Sequence, residues 1–347
     1  MNTSLKSYIL KYSNKDSVKY KLFIIILSAC LLLALFVISI CVGSAGIPVR
    51  DVLSSIFGFA PDSRFYSIIN YVRLPRSAAA VLAGSSLAVS GAILQTVLNN
   101  SLASPNIIGV NAGAGMFAIV LSAMFPEMIL FTPVAAFAGT LSAALSVYFI
   151  AKKTGASRMT IVLAGIAVSS FLGAVTDLII TLYPDSQMSR IAFMIGGFSN
   201  ISMENIGLCV WIIILGLVSA CLFSHDMNIM ALGDDTAKSL GLRTEVYRMV
   251  FLIIAAVLAG SAVSFAGLLG FVGLIVPHAA RFFIGSDNRF LIPLCIFGGG
   301  AFTLFCDILA RVLFAPFEIP VGIIMSFLGG PFFIYLLLRR KRGKLYD

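Results

Sequence analysis

The sequence predicts an all-α membrane protein of about ten transmembrane helices, with both termini on the cytoplasmic side and a cytoplasmic loop of short helices between the sixth and seventh. Three observations carry this. Of the 347 residues, 59% are hydrophobic and 11% charged, whereas soluble domains carry about 25% charge, and the mean hydropathy is +1.03. Such a chain cannot cover a water-facing surface. The apolar residues fall into runs close to the roughly 20 needed to cross a bilayer. Lysine and arginine are shared unequally between alternate connections.

Taken in order, residues 1–21 form a polar cytoplasmic tail, too long and too polar for the leading part of a signal peptide, so 22–42 is read as a retained first helix. Further spans are predicted over 76–98, 107–125, 128–151, 159–182, 205–224, 247–266, 269–284, 290–311 and 320–338. Two connections are long: 43–75, with room for short surface helices, and 225–246, amphipathic and charged. Residues 22–338 therefore make one membrane domain, containing the cytoplasmic loop 226–249, and 339–347 make a basic cytoplasmic tail. With the N-terminus inside, 18 of the 24 lysines and arginines lie on the inner side and 6 on the outer, the bias that orients membrane proteins. The net charge of +9 is therefore no sign of nucleic-acid binding.

The outer six are all arginines: Arg50, Arg64, Arg73, Arg76, Arg190 and Arg311. A guanidinium fork pairs bidentately with carboxylates, so Arg73, Arg76 and Arg311 suit docking of an acidic partner; the alternative is snorkelling to lipid headgroups. Small residues recur in AGSSLAVSGA (83–92), AGIAVSSFLGA (164–174) and AGSAVSFAGLLG (259–270), which lets helices approach closely where lipid supplies no hydrophobic drive. The stretch 99–115 is irregular and glycine-rich but holds no Walker pattern; it is either a hinge beside a pathway or a short loop. In 226–249, Met230, Ala231, Ala237, Leu240 and Leu242 give a short helix pair one apolar face, and Asp234 and Asp235 suit a helix start. Pro277 is expected to break or kink its helix. Asp307 and Arg311 stand four apart, so an intrahelical pair is the economical reading, whereas Asp177 is read as facing a cavity. Six cysteines without C-x-x-C spacing read as small buried hydrophobes. With only His225 and His278, neither a metal site nor a Ser-His-Asp triad is suggested.

Together, RLPR (73–76), SGAILQTVLNNSLASPNIIGVNAGA (90–114), LGDDTAKSLGL (232–242), AGLLGFVGLIVPHAAR (266–281) and EIPVGIIMSFLGGPFFIYLLL (318–338) resemble the FecCD-type permease subunits of iron–siderophore, haem and cobalamin ABC importers, over nearly the whole chain. The resemblance implies ten helices per subunit, a second permease (a copy or a relative), two cytoplasmic ATPases that hold the ATP and Mg, and an extracytoplasmic binding protein. It implies no cofactor on this chain and no catalysis by it. It matches Arg73, Arg76 and Arg311 to positions that pair with glutamates of the binding protein. It matches Met230, Leu232, Gly233, Asp234, Asp235, Ala237, Leu240 and Gly241 to the coupling loop that sits on the ATPase. The gate falls at Asn100, Ser101 and Leu102, with Ser101 where the family usually has proline, and a second gate segment at Arg158 and Met159. Iron(III)–siderophore uptake across a bacterial cytoplasmic membrane is the expectation. The rival is an ion-driven secondary carrier, for which Asp177 is the residue to watch.

Overall fold

The computed structural model describes residues 17–43, 47, 48, 50, 52, 65–154, 158–186, 191, 193–199 and 201–342, with the backbone alone at 129, 205, 208, 337 and 339–342. Most of the expected N-terminal tail (1–16), the end of the C-terminal tail (343–347), Arg64 and Arg190 lie outside the described residues. The rest is helical, with no strand among the described residues.

Twelve helices are numbered here in chain order: α1 Val18–Cys41, α2 Tyr66–Val97, α3 Val110–Met124, α4 Thr132–Lys153, α5 Arg158–Leu182, α6 Met203–Leu222, α7 Ser224–Ala231, α8 Asp234–Ser239, α9 Thr244–Ala266, α10 Val272–Ile284, α11 Asn288–Val312 and α12 Val321–Arg342. Each of the ten apolar runs holds one of the longer helices. Among the described residues six are long and apolar enough to cross a membrane, seven if α6 and α7, bent by 56° at their junction, count as one span; α3, α10 and the apolar part of α12 are shorter.

Burial ranks the helices. In its most apolar stretch α2 is 83% buried and α1 only 11%, so α2 is the core and α1 an outer post. Small residues make that core possible. A Cβ on Gly84 would overlap the Gly299 carbonyl of α11, and one on Gly91 the Gly273 carbonyl of α10; Gly113 and Gly139 meet the same way between α3 and α4. Buried hydroxyls add short bonds, Ser85 Oγ donating to Ile296 O and Ser90 Oγ to Ala255 O, each at 2.7 Å. These are the small-residue stretches of the sequence, used as backbone contact surfaces.

Three details depart from the sequence reading. Helix α2 begins at Tyr66, ten residues early, and passes through a π turn at Ile69–Arg73. The cause is Pro75. It cannot donate to the residue 71 carbonyl and its ring would strike it; the wider turn, in which Leu74 N reaches Ile69 O, makes room. Second, Pro277 lies inside an unbroken α10; the chain bends ahead of it instead, where Gly267 and Phe271 take positive φ. Third, of the six free cysteines only Cys295 and Cys306 are buried, and Cys30 is exposed on α1.

If the α2–α10 contact depends on a missing side chain, Gly91→Val lowers the thermal unfolding midpoint in detergent micelles, by an overpacking cost of about 1–3 kcal/mol or more. Gly115→Ala, where an added Cβ meets nothing within 4 Å, leaves the midpoint unchanged or slightly raised.

Candidate functional site

Charge collects at the two ends of the α2–α11 pair, and the ends are built differently. At the first end Asp307 of α11 is fully buried. Arg76 Nε donates to its Oδ1 at 3.0 Å. Arg311 Nη2 stands 3.0 Å from Oδ2, the expected i,i+4 pair, though at an angle outside hydrogen-bond geometry. Arg76 Nη1 also donates to Glu318 Oε2 at 2.6 Å, and the Glu318 side chain is 39% exposed. The remaining donors close the end of α1. Arg73 Nη1 reaches the Ile40 and Cys41 carbonyls at 2.7 and 2.9 Å. Arg311 Nη1 reaches those of Ser39 and Val42 at 2.9 and 3.0 Å. These are among the last carbonyls of a helix, which have no partner within it.

The three arginines expected at the outer surface are thus neither free nor outward. Arg73, Arg76 and Arg311 are only 4–6% exposed. Sequence separation hid this, since Arg76 and Asp307 lie 231 residues apart.

At the second end lies the loop between α6 and α9. Helix α7 is fastened to the scaffold: Met227 and Met230 are buried, and Asn228 Nδ2 donates to Asp287 Oδ1 at 2.7 Å. Asn228 Oδ1 in turn accepts from Asn288 N at 2.8 Å. Asp287 caps α11 and also receives Arg289. The Arg289 hydrogen bond first, then Asn228, hold the Asp287 carboxyl at about 2 against a burial effect that would raise it.

Helix α8 is bounded by Gly233 and Gly241, both at positive φ. Its first residue, Asp234, faces inward: Oδ2 accepts from Arg248 Nη2 of α9 at 2.7 Å, and Oδ1 from Arg158 Nη2 of α5 at 3.2 Å. Burial alone would raise the Asp234 pKa; the Arg248 hydrogen bond and charge, with Arg158 and Lys238, bring it below the ordinary carboxylate value. Ala237 and Leu242 are buried, whereas Leu232 and Leu240 are 61% and 60% exposed and Asp235 is exposed. The single apolar face expected here is therefore divided, with Met230, Ala237 and Leu242 turned in and Ala231 and Leu240 turned out; Leu232, beside that face, is turned out as well.

The gate stretch is a defined turn. Asn99 takes φ 47 and closes α2 with the bonds Asn100 N to Gln95 O and Asn99 N to Thr96 O, a Schellman cap with asparagine in the usual glycine place. Asn100 Oδ1 then accepts from Leu102 N at 3.0 Å, which holds Ser101 without a proline. Met159 and Asp177 on α5 are exposed on this single chain. A cavity of about 600 Å³ opens elsewhere, lined by Asn111, Met194, Ile195, Leu268, Ile323, Ser326 and Phe327 among others. None of the expected gate or pathway residues lines it. Its walls come from α3, the segment 193–199, the turn before α10 and α12. No group of three or more His, Cys, Asp or Glu placed to hold a metal occurs among the described residues.

An all-helical bundle of apolar helices, cored by glycine contacts and carrying a charged loop at one end, is the build of a multi-pass membrane permease. The profile of the FecCD transport family matches residues 31–339. The iron(3+)-hydroxamate import permease FhuB of Bacillus subtilis is 37% identical over 323 residues, covering 92% of this chain and 84% of that protein. The cobalamin import permease BtuC of Halobacterium salinarum is 37% identical over 275 residues, 79% of this chain and 74% of that one. A solved metal-chelate type ABC transporter in an inward-facing conformation superposes with a TM-score of 0.78 at 25% identity, over 92% of this chain and 99% of that chain. The chain belongs to the FecCD transport family, whose members are ABC transporter permeases and not enzymes.

Two outcomes follow. Asp307→Asn removes the counter-charge of two buried guanidiniums and costs about 3–5 kcal/mol, whereas Glu318→Gln, at a half-open pair, stays within about 1 kcal/mol. Denaturant unfolding in micelles measures both, and equal losses would refute the ranking. The depressed carboxyl of Asp287 contributes stability that is present above its ordinary value of 3.8 and is lost as pH falls through about 2. Asp287→Asn therefore lowers the melting midpoint at neutral pH and flattens its decline between those two values; an unchanged acid limb would remove Asp287 from that decline.

Proposed function

We propose that this chain is the permease subunit of an ATP-driven importer that carries an iron(III)–siderophore complex from an extracytoplasmic binding protein into the cytoplasm. Haem and cobalamin are the alternative cargoes. Two permeases, identical or related, flank the pathway, and two ATPases bind on the cytoplasmic side. The ten longer helices are read as ten spans, with the α7–α8 end cytoplasmic. The observation that supports this most is the loop itself: inside a family match covering most of the chain, it presents Leu232 and Leu240 to water while Met227, Met230, Ala237 and Leu242 are buried. Exposed leucines on a charged loop are a contact surface for a soluble partner. ATP and Mg belong to that partner.

Burial modifies the docking role of Arg73, Arg76 and Arg311. Arg73 and Arg311 hold α1 in place. Arg76 is bonded to Glu318, which itself stands partly at the surface, so an acidic group of the binding protein reaches the cluster by exchanging with Glu318. Asp177 and the 600 Å³ cavity are assigned to the pathway. The permease supplies differential affinity between outward and inward states, not chemistry.

Purified gently from its own membrane, the chain is expected to retain a stoichiometric ATPase identifiable by mass spectrometry. The double variant Leu232→Arg/Leu240→Arg loses that ATPase while keeping its elution profile. An ATPase absent in several mild detergents would favour the ion-driven carrier instead.

A further inference from the structure

We propose that Asp234 is a positioning residue that couples the hinged α8 segment to helix α5 through Arg158, so that movement of the loop is delivered to the turn 105–109. This rests on the importer reading and states how the loop acts. The two halves of the loop are held in different ways. Helix α7 is fixed to the scaffold by Asn228 and by the buried Met227 and Met230. Helix α8 lies between two glycines at φ +105 and φ +85, with open space around both, so it can turn against α7 at little steric cost. Beside the buried Ala237, its polar link to the bundle is one carboxylate shared by two helices.

That carboxylate is asymmetric. Arg248 approaches at 2.7 Å with its side chain 5% exposed, Arg158 at 3.2 Å with its side chain 24% exposed. The Arg248 arm is the shorter and drier; the Arg158 arm is longer and wetter, and ion pairs of that kind are cheaply broken. The difference between the arms is thus one of length and exposure. Arg158 is the first residue of α5. About two helical turns on, Gly165 lies directly against the Ile107 carbonyl, where a Cβ would overlap the oxygen. Gly109, at φ +79, sits against Val168 and Ser169 of the same helix. A rigid helix held at Arg158 and packed without a side chain on 105–109 cannot shift at one place and not the other.

The test uses the chain with its copurified ATPase and reads maleimide labelling of Asn106→Cys, an exposed position beside Ile107, in a background lacking the native cysteines. With Arg158 intact, ATP changes the labelling rate by about tenfold, inside the roughly 5–150-fold range of ordinary coupling between sites. Arg158→Gln abolishes that change while ATPase stays bound, and Arg158→Lys restores it. A full ATP response in Arg158→Gln would overturn the proposal. So would loss of the ATPase from Arg158→Gln, because the pair would then merely support the docking surface. If Arg158→Gln does not accumulate, Asp234→Asn, which removes the charge at the other end of the pair, decides: loss of the response at Asn106→Cys with ATPase bound supports the link, and a full response refutes it. No ATPase on the unaltered chain would overturn the importer reading itself, a result distinct from each of these.

Discussion

Helix α2 meets its neighbours at distances that only glycine, alanine and serine permit, and the rest of the bundle is arranged around that contact. In lipid, apolar side chains gain little by leaving one tail for another, so close backbone packing and interhelical hydrogen bonds carry association. Gly84 on Gly299 and Gly91 on Gly273 bring α11 and α10 against it. The bond from Ser90 to Ala255 ties in α9. With its most apolar stretch 83% buried, α2 has almost no side left for lipid, and α9, α10 and α11 take their places against it.

Charge then gathers toward both ends of the bundle, with opposite consequences. The Arg76–Asp307–Arg311 group is sealed, and a sealed ionic group is costly to break from one side. It suits an end that must keep its shape. The Asp234 group is half open, and its carboxylate divides its loyalty between α5 and α9. Such a group is weak enough to be rearranged by a partner and specific enough to matter when it is. Rigidity and responsiveness are thus assigned to different helices of the same bundle.

Much of this was legible in the sequence, and the limits have physical causes. Apolar runs located the helices because a bilayer demands about the same length of each. Charge asymmetry set the arginines apart from the lysines, and the i,i+4 spacing of Asp307 and Arg311 announced their pair. What spacing cannot announce is a partner 231 residues away, so the arginines read as surface groups when they are interior ones. The start of α2 was missed because Pro75 reads as a helix boundary, and the π turn that accommodates it leaves no mark in composition. Asp234 read as a helix-start residue and Arg158 as a gate residue. Their meeting is tertiary, and no local pattern joins α8 to α5. The cavity was invisible for a simpler reason: a wall of Ile, Leu and Phe looks the same as any packed helix.

The grip on α1 has a consequence for how the protein is made. The carbonyls of Ser39, Ile40, Cys41 and Val42 find their donors on Arg73 and Arg311. During synthesis α1 leaves the ribosome before Arg73, which follows about thirty residues later, and Arg311 comes only after α2 to α10 have been made. A helix made early therefore has its end completed late, when α11 comes back to meet it.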